Sequence, residues 1–319
     1  MKFELTSDQR DFMSALHGQI AASDPVAVNR AWAEGDAKPG LDLWQQITEV
    51  GVSGLLIPEQ QGGVGATPVE LVCAFEILGR HAVPGPWIES AAYLAAALEG
   101  PERAAIADGT VATVAAPPHT PHAVDADAAN DVYVVVDGTV HQAEHSDAIE
   151  SVDPSRRLFK VTKAGPVGTR DVDAAFDLAV LAASAELLGA GERVLADAVT
   201  YVKQRTQFGR TIGSYQAIKH QLANVRIALD FARPLIVGAA LDPSPRAVSA
   251  AKIQAAAAAN LSARVGLQVH GAIGYTAEFD LSLWLLRIRA LQSAWGTPAF
   301  HRERVLASLL SSRSSSPTQ

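Results

Sequence analysis

The sequence predicts a mostly helical protein with a small β insert, in the order α, β, α. Apolar residues recur at three- and four-residue spacing over most of the length. A stretch of about sixty residues near the middle carries short β-branched runs instead. Alanine is abundant and aromatic residues are only 6% of the 319, a composition suited to helices packed closely on one another.

Thr6 or Ser7 caps a first helix through Phe12, Leu16 and Ile20. Leu43, Ile47 and Val50 mark a second, stopped by Gly51. Pro58 to Gly65, rich in glycine, is a loop; Pro68 to Arg80 is a third helix, and Pro84-Gly85-Pro86 breaks the chain. Val111–Val114, Val132–Val136, Thr139–His141 and Leu158–Val161 read as strands, with Asp137-Gly138 a hairpin turn. Long helices follow over Leu178–Gln204, Tyr215–Leu241 and Arg246–His270. Pro234 is expected to kink or interrupt the second. Gly189 and Gly191 read as helix-packing positions. A shorter helix covers Asp280–Ala294, and Thr297-Pro298 opens a last one. The Ser-rich stretch Ser311–Gln319 is expected to be disordered. The domain division expected is 1–108 (N-terminal helical), 109–167 (reduced β), 168–312 (C-terminal helical bundle) and a tail over 313–319.

With 48% hydrophobic and 19% charged residues, the chain is no disordered segment. An excess of 34 acidic over 26 basic residues, with no basic run, argues against nucleic acid or an anionic membrane as partner. The lone Cys73, inside an apolar run, excludes a disulfide framework and fits a reducing compartment. The N-terminus lacks a basic-then-apolar signal pattern, and polar residues interrupt the apolar stretches, so a cytoplasmic location is expected.

Two motifs carry the chemistry. Arg205-x-Gln207-Phe208-Gly209-Arg210-x-Ile212-Gly213-x-x-Gln216-Ala217 falls in an amphipathic helical stretch. Gln268-x-His270-Gly271-Ala272-x-Gly274-Tyr275-Thr276 ends another about sixty residues later. With Leu5-Thr6-x-x-Gln9-Arg10 and Ile57-Pro58-Glu59-x-x-Gly62-Gly63-x-Gly65, they resemble the acyl-CoA dehydrogenase family over most of the chain, least in the β insert. The resemblance implies a shortened acyl-CoA dehydrogenase fold whose C-terminal four-helix bundle forms the oligomer core. It also implies FAD as cofactor, an acyl-CoA thioester as substrate and an electron-transfer flavoprotein as electron acceptor. The cofactor-binding set it points to is Arg205, Gln207, Phe208, Gln216, Gln268, Gly271, Ala272 and Gly274. An arginine fork matches pyrophosphate oxygens bidentately, and family members supply it from a neighbouring subunit. Glycine near Gln268 lets main-chain N–H groups approach the same dinucleotide, although Ala272 stands where glycine is more usual. His270 is assigned no chemistry, and His119, His122, His141 and His145 are read as solvated.

The same resemblance exposes what is missing. These enzymes remove the α-proton of a thioester with a glutamate from one of two positions, which fall here on Ala179 and Trp295. Neither accepts a proton, so no catalytic residue is assigned. Glu186 lies about two turns, roughly 10 Å, along the helix from Ala179; Glu278 and Glu303 lack motif support. The insert also lacks the family's Thr-Glu-Pro-type loop and Trp-x-Thr-type strand that grip the flavin ring. The resemblance is closest to heteromeric actinobacterial members, in which two unlike subunits share each flavin and one lacks the base. Such assemblies are associated with large CoA thioesters, including steroid side chains. Three readings stay open: a half-site subunit needing a partner, a self-sufficient dehydrogenase with Glu186 as relocated base, and a non-catalytic scaffold or CoA-thioester-binding subunit.

Overall fold

The first ninety-odd residues fold into helices α1 (Ser7–Ala22), α2 (Pro25–Ala33), α3 (Lys38–Glu49) and α4 (Pro68–His81). The computed structural model describes residues 3–314. Helices α1 and α4 both start on reciprocal capping boxes, Thr6 with Gln9 and Thr67 with Glu70, which satisfy otherwise orphaned N–H groups. After the Pro84–Pro86 break comes a π-helical segment, Ile88–Leu94, leading into α5 (Ala95–Ala97) and α6 (Gly100–Ala107). The π segment is buried throughout, so no polar face betrays its period in the sequence.

The β insert is one five-stranded sheet in the order β1-β3-β4-β5-β2. Its strands are β1 (Ala112–Ala115), β2 (Ala123–Val124), β3 (Asp131–Val136), β4 (Thr139–Ile149) and β5 (Leu158–Pro166). The turn between β3 and β4 has both central residues at positive φ, Asp137 at 49° and Gly138 at 72°, as an Asp-Gly hairpin requires. His141, expected to be solvated, is buried because β4 runs between β3 and β5 there, facing Val134 and Pro166. His119 is half-buried rather than solvated, its ring 3.9 Å from that of Phe300.

Helix α7 (Val172–Gln204) is the axis of the molecule. It alone among the described helices is long and apolar enough to cross a membrane, contrary to the sequence reading, but 83% of its apolar window is buried inside the protein. A Cβ at Gly79 would sit 2.1 Å from the Glu186 carbonyl oxygen, and one at Gly189 would sit 1.9 Å from that of Glu76. Backbone therefore touches backbone where α4 crosses α7, and only glycine permits it. A two-strand hairpin, β6 (Thr206–Gln207) and β7 (Arg210–Thr211), leads to α8 (Gln216–Leu241), α9 (Pro245–His270), α10 (Leu281–Leu291) and α11 (Pro298–Ser314). Helices α7 and α9 run in the same direction: Gly191 packs on Ala259, Val194 on Gly266, and the Tyr201 ring on His270.

Two expectations are qualified here. Pro234 does not interrupt α8; the carbonyl it cannot serve belongs to exposed Asp230, which water can satisfy, while Arg226 and Arg233 tie the helix to Glu192 and Glu76. The Ser-rich stretch is helical as far as Ser314, and the rest of the expected disordered tail lies outside the described residues. Ala255, Ala256, Ala258 and Ala259 are buried within this chain, where α9 packs on α7 and α8.

Candidate functional site

The motif around Arg205 is not helical. Helix α7 stops at Gln204, and Arg205 to Thr211 form the hairpin, turning at Phe208 (φ 52°) and Gly209 (φ 77°). The Arg205 N–H donates to the Tyr201 carbonyl at 2.8 Å, and the Arg205 carbonyl accepts from the Ile212 N–H at 2.8 Å, which fixes the base of the hairpin. Arg205, Gln207 and Gln216 are exposed, Phe208 is 91% exposed, and Arg205 makes no ion pair among the described residues.

The second motif arrives at the same end because α9 parallels α7. Gly271 (φ 65°, ψ −139°) turns the chain out of α9 in a conformation that side chains forbid, into a 3-10 turn over Gly271–Tyr275. The Tyr201 and His270 rings lie 4.3 Å apart, and the His270 Nδ1–H donates to the Gly266 carbonyl at 2.7 Å. Gln268 and Ala272 are exposed beside this turn. Gly274 is buried, and a Cβ there would crowd Leu267 and His270, so packing accounts for it. One end of the bundle thus gathers a guanidinium without a counter-ion, glutamine amides, an open glycine turn and the exposed rings of Phe208 and Tyr275. That donor set fits an anionic dinucleotide diphosphate presented from outside the chain. It forms an open face rather than an enclosure for a flavin ring.

The two base positions tell the opposite story. Ala179 and Trp295 are both fully buried. The Trp295 indole stacks on Tyr93 at 5.1 Å and lies 6.1 Å from Phe176, one helical turn before Ala179. Its backbone sits at φ 57°, held from several sides. The Trp295 N–H donates to Thr120 Oγ1 at 3.2 Å, and its carbonyl accepts from His301 Nε2 at 3.0 Å. Lys252 Nζ donates to the carbonyls of Leu291 (2.7 Å) and Ala294 (2.9 Å). Burial drives the Lys252 pKa down to about 7, with Glu186 opposing and Arg156 assisting. The loop that the resemblance leads one to expect to carry a base thus holds a buried aromatic ring instead. Beside it, a cavity of about 640 Å³ opens between the sheet and α10–α11, walled in part by Thr120, Arg156, Arg289 and Thr297.

Glu186 is committed elsewhere. Its Oε1 accepts from Arg287 Nη1 at 2.7 Å, while Asp153 Oδ2 accepts from Arg287 Nε at 2.7 Å. Arg287 further donates to Ser155 Oγ (3.1 Å) and the Val83 carbonyl (3.0 Å). Burial disfavours the Arg287 charge, but Asp153 and Glu186 outweigh it and raise its pKa. This network, with the buried Arg156–Glu89 pair at 3.2 Å, locks the sheet domain onto the helices. Glu278 and Glu303 are exposed.

Comparison with known proteins agrees with the fold. Residues 6–99 match the acyl-CoA dehydrogenase N-terminal domain, and residues 167–310 match the acyl-CoA dehydrogenase C-terminal domain. The chain is 32% identical to the acyl-CoA dehydrogenase IpdE2 of Mycobacterium tuberculosis, over 82% of this chain and 85% of that protein. In fold it is similar to the Tcur3481–Tcur3483 steroid acyl-CoA dehydrogenase (TM-score 0.84, 20% identity, 97% of this chain and 99% of that one). It is similar also to the ChsE4–ChsE5 complex of Mycobacterium tuberculosis (TM-score 0.80, 21% identity, all of both chains). The chain belongs to the acyl-CoA dehydrogenase family, FAD-dependent oxidoreductases that act on the CH–CH bond of CoA thioesters.

Proposed function

We propose that this chain is the base-less subunit of a hetero-oligomeric acyl-CoA dehydrogenase that shares its flavin with an unlike partner. One observation carries the reading: a buried Trp295 plugs one base position while the Arg205 face stands exposed and unpaired. Arg205, with Gln207, Phe208, Gln216, Gln268 and the Gly271–Ala272 turn, would hold the diphosphate and neighbouring groups of FAD bound mainly to the partner. Bound FAD would supply the hydride acceptor for the β-carbon of the thioester. This chain's part is to clamp and orient; the α-proton goes to a carboxylate of the partner. Helix α8 offers a surface for such a partner in the exposed apolar stripe Ile227, Phe231 and Leu235, spaced four residues apart. A bulky, steroid-derived acyl chain is the substrate class we favour, because a steroid acyl-CoA dehydrogenase is among the structures similar in fold. The electrons would leave through an electron-transfer flavoprotein.

The test is acyl-CoA turnover and visible flavin absorption of the purified chain, alone and co-expressed with its genomic neighbours. The chain alone is expected to show no appreciable turnover, and the assembly to show both turnover and flavin. Robust turnover by a homogeneous oligomer of this chain would overturn the proposal.

A further inference from the structure

The opposite end of α7 holds a second unusual arginine. Arg103 is only 5% exposed, yet every acceptor it meets is neutral. Its Nε donates to the Ala95 carbonyl at 2.7 Å, Nη1 to Gln61 Oε1 at 3.1 Å and Nη2 to the Leu56 carbonyl at 3.3 Å. It makes no ion pair among the described residues. A guanidinium has five N–H donors, so one remains on each terminal nitrogen. Buried charges are ordinarily paired, because desolvating an ion without a counter-charge costs several kcal/mol.

Arg103 also lines a cavity of about 470 Å³, which Arg170 shares. The rest of the wall is largely apolar: Leu56, Pro68, Ala96, Ala174 and Leu178. Two carboxylates face it as well. Asp171 is occupied in capping α7, accepting from the N–H groups of Asp173 (3.0 Å) and Ala174 (2.9 Å). Glu99 is exposed and lies beyond ion-pair distance of either arginine. Burial, then the charge of Arg170, pull the Arg103 guanidinium below the usual arginine range, with Glu99 opposing. The wall thus carries two guanidiniums and two carboxylates above an apolar floor, and neither carboxylate is within ion-pair distance of the buried Arg103.

We infer that Arg103 and Arg170 form a binding site for a small carboxylate carried on an apolar body. The paired guanidiniums take the carboxylate oxygens, and the Leu56–Ala174–Leu178 wall takes the hydrocarbon. The site is distinct from the Arg205 face: the 33 residues of α7 separate Arg170 from Arg205 by roughly 50 Å. It stands whether or not the chain clamps a flavin.

Isothermal titration of the full chain at fixed ionic strength tests it, with hexanoate, 1-hexanol and inorganic phosphate as probes. Hexanoate is expected to bind saturably at one site, with hexanol and phosphate at least tenfold weaker. Arg170→Gln, at an exposed position, should fold normally and weaken hexanoate at least tenfold, and Arg103→Gln should do so too where circular dichroism shows it folded. No saturable hexanoate binding, equal binding of hexanol or phosphate, or an unchanged Arg170→Gln would each overturn the inference.

Discussion

Replacing Glu186 separates a structural carboxylate from a relocated base. The side chains of Arg287, Asp153 and Glu186 are 2%, 3% and 4% exposed, so water cannot compensate any charge left behind. Removing one member of a buried ion pair costs roughly 3–5 kcal/mol. Glu186→Ala should meet that cost, tempered by Asp153, which keeps its hold on Nε. Glu186→Gln retains a neutral acceptor near Nη1 and should lose about 1.5–3 kcal/mol, the worth of a charge-assisted hydrogen bond. At about 2 °C per kcal/mol for a chain of this size, the melting temperature falls by roughly 6–10 °C for alanine and 3–6 °C for glutamine. Scanning calorimetry of the active assembly, paired with turnover well below the transition, measures both consequences. The expected outcome is a lower Tm with turnover per folded assembly unchanged. Loss of a general base would instead cut kcat by roughly 10²–10⁴-fold. Such a fall in a Glu186→Gln assembly of unaltered Tm would refute the structural assignment.

What the sequence reveals and conceals follows from the range of the forces involved. Helix spacing and the residue types of the Arg205 and Gln268 motifs are local, and they lead directly to the family. The hairpin that carries Arg205 is hidden because Phe208 sits at φ 52°, where an aromatic residue has no propensity to be found, and only Gly209 hints at the turn. Trp295 is recognisable as a substitution for a base, but its role as a plug depends on Tyr93 and Phe176, far away along the chain. The fate of Glu186 is less legible still, since its partner Arg287 belongs to α10 and is shared with Asp153 in the segment between β4 and β5. No spacing rule links residues separated by a hundred positions. Nothing local marks Arg103, because two of the three neutral oxygens that enclose it come from Leu56 and Gln61, more than forty positions away.

In the assembly, Arg205→Ala should lose about 2–5 kcal/mol of flavin affinity, a roughly thirtyfold to several-thousandfold weakening. FAD per assembly after gel filtration reads it, Arg205→Lys should recover only part, and full retention in a folded variant would make the motif a relic. Trp295→Ala should cost about 3–5 kcal/mol of stability, because Tyr93 and Phe176 cannot close the gap; a loss below about 1 kcal/mol by denaturant titration would mean the ring is no plug. Lys252 gives a pH-dependent outcome. A neutral amine has two donors, and Lys252 meets two carbonyls, those of Leu291 and Ala294. Its folded pKa of about 7 lies below the ordinary lysine value of 10.5, so between those values the unfolded chain holds a proton that the folded chain has shed. Stability therefore rises with pH across that window, while below about pH 7 both states are protonated and the handicap is constant. Lys252→Met abolishes this titration and leaves the two carbonyls without a donor. The stability difference between the native chain and Lys252→Met should widen in favour of the native chain by roughly 2 kcal/mol from pH 7 to pH 9, at about 1.4 kcal/mol per unit once past the folded pKa. Urea titrations at pH 6, 7, 8 and 9 measure the difference. A difference flat from pH 6 to pH 9 would show that Lys252 stays charged in the fold and that the Trp295 loop is held by an ammonium.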